Sequence, residues 1–183
     1  MTKRNLAVLA AVTALALAID QVSKLLVLRA LVAEGRSVKV MGNFLVFALS
    51  FNRHGVFGLP ISGGLSYLIF PVLGILLIIL FARSSQHVGF TISYGLILGG
   101  AFGNLIDRLF RPQGVVDFIS MQFVHFRVGD TWLGMDRWFT YNVADSCLVV
   151  GVILLLIFEF FSAKSRPQVS AASEAARPPG REE

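Results

Sequence analysis

Two aspartates, Asp117 and Asp145, stand where apolar stretches meet polar ones in a chain that holds only 11 acidic residues among 183. Asp117 lies in GVVDFI, downstream of GNLIDR (residues 103–108), and Asp145 ends YNVAD (residues 141–145). Two carboxylates that share a site cannot both ionise easily, so one keeps its proton while the other accepts one from water. Such a pair can add water to a carbonyl. The ionised member activates the water, the neutral member hydrogen-bonds the carbonyl oxygen, and the roles exchange as the tetrahedral intermediate collapses. Asp145, at the start of an apolar helix, feels the positive end of the helix dipole and is the expected ionised partner.

Further polar residues recur at helical spacing. At about 100° per residue, Asn104, Asp107 and Arg108 share one face, as do Asn142 and Asp145, while Asp20 and Lys24 form an oppositely charged i, i+4 pair. A carboxylate at mid-bilayer costs about 2.5–3.5 kcal/mol, so none of these groups can face lipid cheaply and they are expected to converge inside a bundle. Plainer readings stand beside this one. Asn142 and Asp145 have the spacing of a capping box, and Asp20 with Lys24, or Asp107 with Arg108, could be purely structural ion pairs. The number of carboxylates and amides at one depth favours a site, because a helix cap needs only one residue.

Other chemistries fit poorly. His54, His87 and His125 fall in different connections, with His87 on the opposite side, so no His/Cys set for zinc is expected. No serine sits in a nucleophile-elbow context. The single Cys147 has no disulfide partner and lies within an apolar segment. No metal and no cofactor is expected.

The elements that must position these groups are membrane helices. The chain is 55% hydrophobic and 15% charged, with a mean hydropathy of +0.73. About 20 apolar residues cross a bilayer, and the segments 6–28, 65–82, 88–110 and 143–161 qualify. The expected fold is an all-α polytopic membrane protein with four transmembrane helices. Lys3-Arg4 and the apolar run after them read as an uncleaved first helix rather than a signal peptide. Residues 1–162 form the expected membrane domain, and 163–183, rich in Ser, Ala, Pro and charge, an expected disordered tail. Four crossings put both termini on one side, though Lys and Arg counts alone do not say which. The net charge of +5 is scattered over loops and tail, which suits contact with membrane lipids and gives no basic stripe for nucleic acid.

Two long connections fall on one face of this bundle. Within them, 43–52 and 121–128 are rich in Phe and Val and predict short strands, hence a small antiparallel β-sheet on the membrane surface. Trp132, Trp138 and Phe139 are expected at headgroup level, with a possible interfacial helix over 58–66. Gly95, Gly99 and Gly103 repeat every four residues and clear one helix face for close approach of another. Pro71 inside the second helix is tolerable where neighbours satisfy the freed carbonyl.

Several of these segments together resemble a known family. DQVSK (residues 20–24), the run 52–58, GGAFGNLIDR (99–108), VVDFI (115–119) and YNVADS (141–146) occur in the order and spacing of lipoprotein signal peptidases, the bacterial membrane aspartyl peptidases also called signal peptidase II. The resemblance covers about residues 15–160. It implies that Asp117 and Asp145 are the catalytic dyad, that Asn52, Asn104, Arg108 and Asn142 line the substrate site, and that Asp20, Lys24, Gly100, Asp107 and Ala144 support it. It further implies a prolipoprotein substrate carrying a diacylglyceryl group, and a multi-pass enzyme of the bacterial inner membrane with cytoplasmic termini and a site near the periplasmic side. The sheet is then extracytoplasmic. One run departs from the family, which usually has Asn, any residue, then Gly, whereas NRHGVFG has His54 at that third position and Gly55 one place later. The alternative reading is a small carrier that relays protons through intramembrane carboxylates; no internal repeat supports it.

Overall fold

The computed structural model describes residues 1–34, 37–42, 44–53, 66–121, 126–128, 131–133 and 140–164. His54, His125, Trp138, Phe139, nearly all of the expected interfacial helix and the expected tail beyond residue 164 lie outside these residues; its first two residues, 163 and 164, continue the last helix. Four helices carry the fold: α1 (Lys3–Glu34), α2 (Ser66–Arg83), α3 (Val88–Phe110) and α4 (Val143–Lys164). Three of them, over Lys3–Leu31, Val88–Phe110 and Val143–Ser162, are long and apolar enough to cross a membrane; the apolar stretch of α2, Tyr67–Arg83, is shorter.

Helix α1 outlasts the apolar segment read from the sequence. Thr2 begins it by accepting the Asn5 N–H on its hydroxyl over 3.1 Å, a side-chain cap for an otherwise orphan amide. At the far end, good helix formers continue the spiral past Leu28, and Val27 and Leu31 are buried there against Phe118.

Helix α3 is the central element, packed on all three other helices. Its glycine stripe does what the spacing predicts. A Cβ at Gly95 would fall 2.9 Å from Val12 Cβ, one at Gly99 2.6 Å from Ala16 Cβ, and one at Gly103 2.5 Å from Asp20 Oδ2. On another face, a Cβ at Gly100 would run into the Ala144 carbonyl oxygen of α4. Bare backbone thus lets α1 and α4 close on α3 from two sides.

The strands are more numerous than the sequence suggests. A three-stranded antiparallel sheet has the order β1 (Val38–Met41), β2 (Leu45–Asn52), β3 (Val115–Met121), and β4 (Phe126–Val128) pairs with β5 (Thr131–Leu133), which contains Trp132. The expected 121–128 segment is strand at Met121, the end of β3, and at Phe126–Val128, which is β4, with 122–125 outside the described residues; the partner of β2 is β3, and Asp117 sits inside it. The first four residues of VVDFISM are all buried, with β2 and α1 as neighbours, so this border between apolar and polar sequence serves a strand. Between Phe47↔Ile119 and Ser50↔Asp117 the register slips by one residue. That bulge on β2 adds local twist next to Asp117. Phe47 and Phe118 meet edge to face at 5.6 Å.

The molecule is polar at both ends in different ways. At one end the N-terminal ammonium donates to the Arg83 carbonyl (3.2 Å), and buried Asn5 donates from Nδ2 to the Gln86 carbonyl (3.0 Å). His87, at the N-cap of α3, is at this end. The sheet, Asp117 and the start of α4 lie at the other.

Candidate active site

The α1 pair predicted from spacing is present and buried. Lys24 Nζ lies 2.8 Å from Asp20 Oδ2, with both side chains fully enclosed. It also reaches Asp107 Oδ2 at 2.9 Å and Asn104 Oδ1 at 3.1 Å. Three acceptors match the three protons of an ammonium, which is the condition under which a buried charge is tolerable.

Asp107 is a junction. Its Oδ1 accepts from Arg111 Nε (3.0 Å) and its Oδ2 from the Val116 backbone N–H (3.1 Å). The structural reading of Asp107 with Arg108 as an ion pair is thereby corrected to Asp107 with Lys24 and Arg111. Arg111 is one turn on and swings back toward the carboxylate, whereas the Arg108 guanidinium carbon lies 5.1 Å from the centre of the Tyr67 ring. Gln21, Arg111 and Tyr67 are the polar groups that sequence reasoning did not assign to the site. Gln21 Nε2 donates to Asp20 Oδ2 (3.0 Å) and to the Gly103 carbonyl (3.1 Å). Its place beside Asp20 in an apolar run was the available signal.

Asp20 also serves α4, through its Oδ1 on the Ala144 N–H at 2.9 Å. The rest of that helix start is capped from within. Asn142 Oδ1 accepts the Asp145 N–H (2.9 Å), and Asp145 Oδ2 accepts the Asn142 N–H (3.2 Å). This reciprocal pattern is a capping box. The capping reading and the site reading are both correct, since the same two side chains continue into the polar cluster.

Asn142 joins the aspartates. Its Nδ2 donates to Asp117 Oδ1 over 2.7 Å and to Asn104 Oδ1 over 3.0 Å, using both of its protons. Asn104 in turn donates from Nδ2 to Asp145 Oδ1 over 2.8 Å. Asp117, Asn142, Asn104 and Asp145 therefore form a continuous chain of side-chain hydrogen bonds, to which Lys24 adds its contact with Asn104.

Burial and charge act strongly on Asp117. Asp117 is only 4% exposed. Burial first, then the neighbouring Asp145 charge, push its carboxyl up to about 7, against the pull of Asn142, Lys24 and Asn52. Asn52 ends β2 opposite Val115. The turn before that strand needs its glycine: Gly114 has φ +105°, and a Cβ there would run into the Asn52 carbonyl oxygen. Cys147, half-buried in α4, is a free thiol.

Comparison with known proteins shows the family. The family model described as signal peptidase (SPase) II matches residues 12–161. A lipoprotein signal peptidase of Borrelia turicatae (strain 91E135) is 33% identical over 148 residues, 78% of this chain and 84% of that protein. One from Borreliella burgdorferi (strain ZS7) is 40% identical over 95 residues, 52% of each, so the chain spans about half the length of that relative. A solved bacterial membrane enzyme, 24% identical, shares the fold with a TM-score of 0.68 over 87% of this chain and 92% of its own. The apolar helices and these likenesses describe a membrane-embedded protein, and the chain belongs to the signal peptidase II family of peptidases.

Proposed function

We propose that this protein removes the signal peptide from diacylglyceryl-modified prolipoproteins, hydrolysing the bond on the amino side of the lipidated cysteine with Asp117 and Asp145 as the dyad. The observation that carries the reading is the Asn142 bridge, a single residue hydrogen-bonded to both carboxylates. With its carboxyl raised to about 7, Asp117 keeps a protonated population into the neutral range, and in that form it is the acid while Asp145 acts as base. Asp145 takes a proton from water, whose oxygen bonds to the scissile carbonyl carbon, while Asp117 donates to the carbonyl oxygen. Collapse breaks the C–N bond, and the amine leaves with a proton returned by the acid now protonated.

Asn52, Asn104, Arg108 and Asn142 face the substrate in this proposal, and Asp20, Lys24, Gly100, Asp107 and Ala144 hold them. With α2 as a fourth crossing, both termini and the α2–α3 turn lie in the cytoplasm of a bacterial cell. The sheet and dyad lie toward the periplasmic side of the inner membrane, where the diacyl tail can stay among lipids.

The test follows a diacylglyceryl prolipoprotein by gel shift with purified enzyme in detergent. Asp117→Asn and Asp145→Asn are expected to abolish processing while still inserting and binding substrate. Full cleavage by either variant would end the dyad assignment. Cleavage is also expected to survive EDTA; loss to chelator with recovery on zinc would point to a metallopeptidase instead.

A further inference from the structure

Helix α3 turns three polar side chains toward this end of the molecule, and two of them, Asn104 and Asp107, are bound into the α1 and α4 network. Arg108 is not. Among the described residues its Nε is buried with no hydrogen-bond partner, which is costly for such a donor. Its guanidinium instead rests over the Tyr67 ring, 5.1 Å from the ring centre. A cation on an aromatic face is attracted by the ring's negative charge, the more so when water is excluded.

Tyr67 occupies the first turn of α2, and its hydroxyl donates to the Asn52 backbone carbonyl over 3.3 Å. Asn52 is the last residue of β2, and its side chain is one of the groups acting on Asp117. A single tyrosine therefore touches the one α3 cation left outside the buried network and the strand end beside the dyad. An aromatic residue serving only as an interfacial anchor needs neither contact.

We propose that Tyr67 is a positioning residue for substrate binding: its ring fixes the plane of the Arg108 guanidinium, and its hydroxyl ties that assembly to Asn52. Arg108 Nε–H is then held ready for an acceptor oxygen of the bound lipopeptide. The inference rests on the reading of Arg108 as substrate-binding. Because Tyr67 acts through Arg108 and not on the reacting atoms, its loss weakens binding and leaves the chemical step of bound substrate intact.

The experiment measures KM and kcat on a diacylglyceryl prolipoprotein with full-length enzyme. Tyr67→Leu is expected to raise KM about 3- to 30-fold, the span of such a contact, with kcat largely kept. The same substitution in an Arg108→Met background is expected to add little, because the two side chains act as one unit. Phenylalanines of increasing fluorine content at position 67 keep the shape of the ring while withdrawing negative charge from its face, and KM is expected to climb with each fluorine. This series stays informative where Tyr67→Leu does not fold. An unchanged KM in Tyr67→Leu, a full effect persisting without Arg108, or indifference to fluorination each overturns the inference and leaves the peptidase reading standing. A parent enzyme that cleaves nothing removes that reading, and this one with it.

Discussion

Lys24 Nζ and Asn104 Oδ1 lie 3.1 Å apart, and this contact decides which end of the Asn104 amide meets Asp145. Lysine can only donate, so it holds the amide oxygen, and the amide nitrogen must turn to the carboxylate. A cation that never reaches the aspartate thus sets the hydrogen bonding around it.

Lys24→Met is expected to cost about 3–5 kcal/mol of stability, because it strands two carboxylates in a dry interior. Activity should fall about 10²-fold as the Asn104 amide loses its fixed orientation. Adding Asp107→Asn is expected to return part of the stability and none of the activity. Thermal unfolding in detergent beside processing rates checks both, and recovery of activity with stability would refute an orienting role.

The Asp117 carboxyl, raised to about 7, predicts the pH profile. As the proton holder it must be neutral, so kcat/KM should decline as pH climbs through that value. In Asn142→Ala the donor that opposes the rise is lost, and the falling limb of the residual activity should move to higher pH. A rate flat from pH 6 to about 9 would contradict the assignment.

Stability should fall over the same pH range, from the same shift. A folded-state value above the ordinary 3.8 means that the neutral form is favoured by folding. That contribution is complete below about 4 and is lost as pH rises through about 7. Asp117→Asn removes the titration, so its Tm relative to the parent should be highest at pH 8 and the advantage should shrink on acidification. Parallel Tm curves for the two proteins would show that Asp117 does not titrate between folded and unfolded states as described.

Gly100→Ala and Gly74→Ala form a matched pair. A methyl at Gly100 meets the Ala144 carbonyl oxygen and lies 3.0 Å from Leu148 Cγ, whereas one at Gly74 meets nothing within 4 Å. Backbone cannot rotate away, so Gly100→Ala should cost about 1–3 kcal/mol and lower activity by moving α4, with Asp145, off α3. Gly74→Ala should be neutral or stabilising by about 0.5–1 kcal/mol. Equal behaviour of the two variants in unfolding and processing assays would exclude the packing explanation.

Hydropathy alone located the helices, because hydrocarbon thickness dictates the length of an apolar span and a lipid-facing helix cannot conceal it. The expected 88–110 segment coincides with α3, Val88–Phe110. Periodicity alone paired Asp20 with Lys24 and Asn142 with Asp145, since partners three or four residues apart on a helix need no tertiary information. The glycine stripe, read at a spacing of four, likewise announced the α1–α3 contact. Strand pairing is non-local, and β3 reads as strand only once β2 lies beside it; from the sequence alone, Asp117 marks only a border between apolar and polar residues. The partners of Asp107, divided among Lys24, Arg111 and the Val116 N–H, and the seat of Arg108 on Tyr67 come from elements far apart in the chain. Residue types and intervals nominated the acids, but only close packing of α1, α4 and β3 around α3 could make Asn142 touch both.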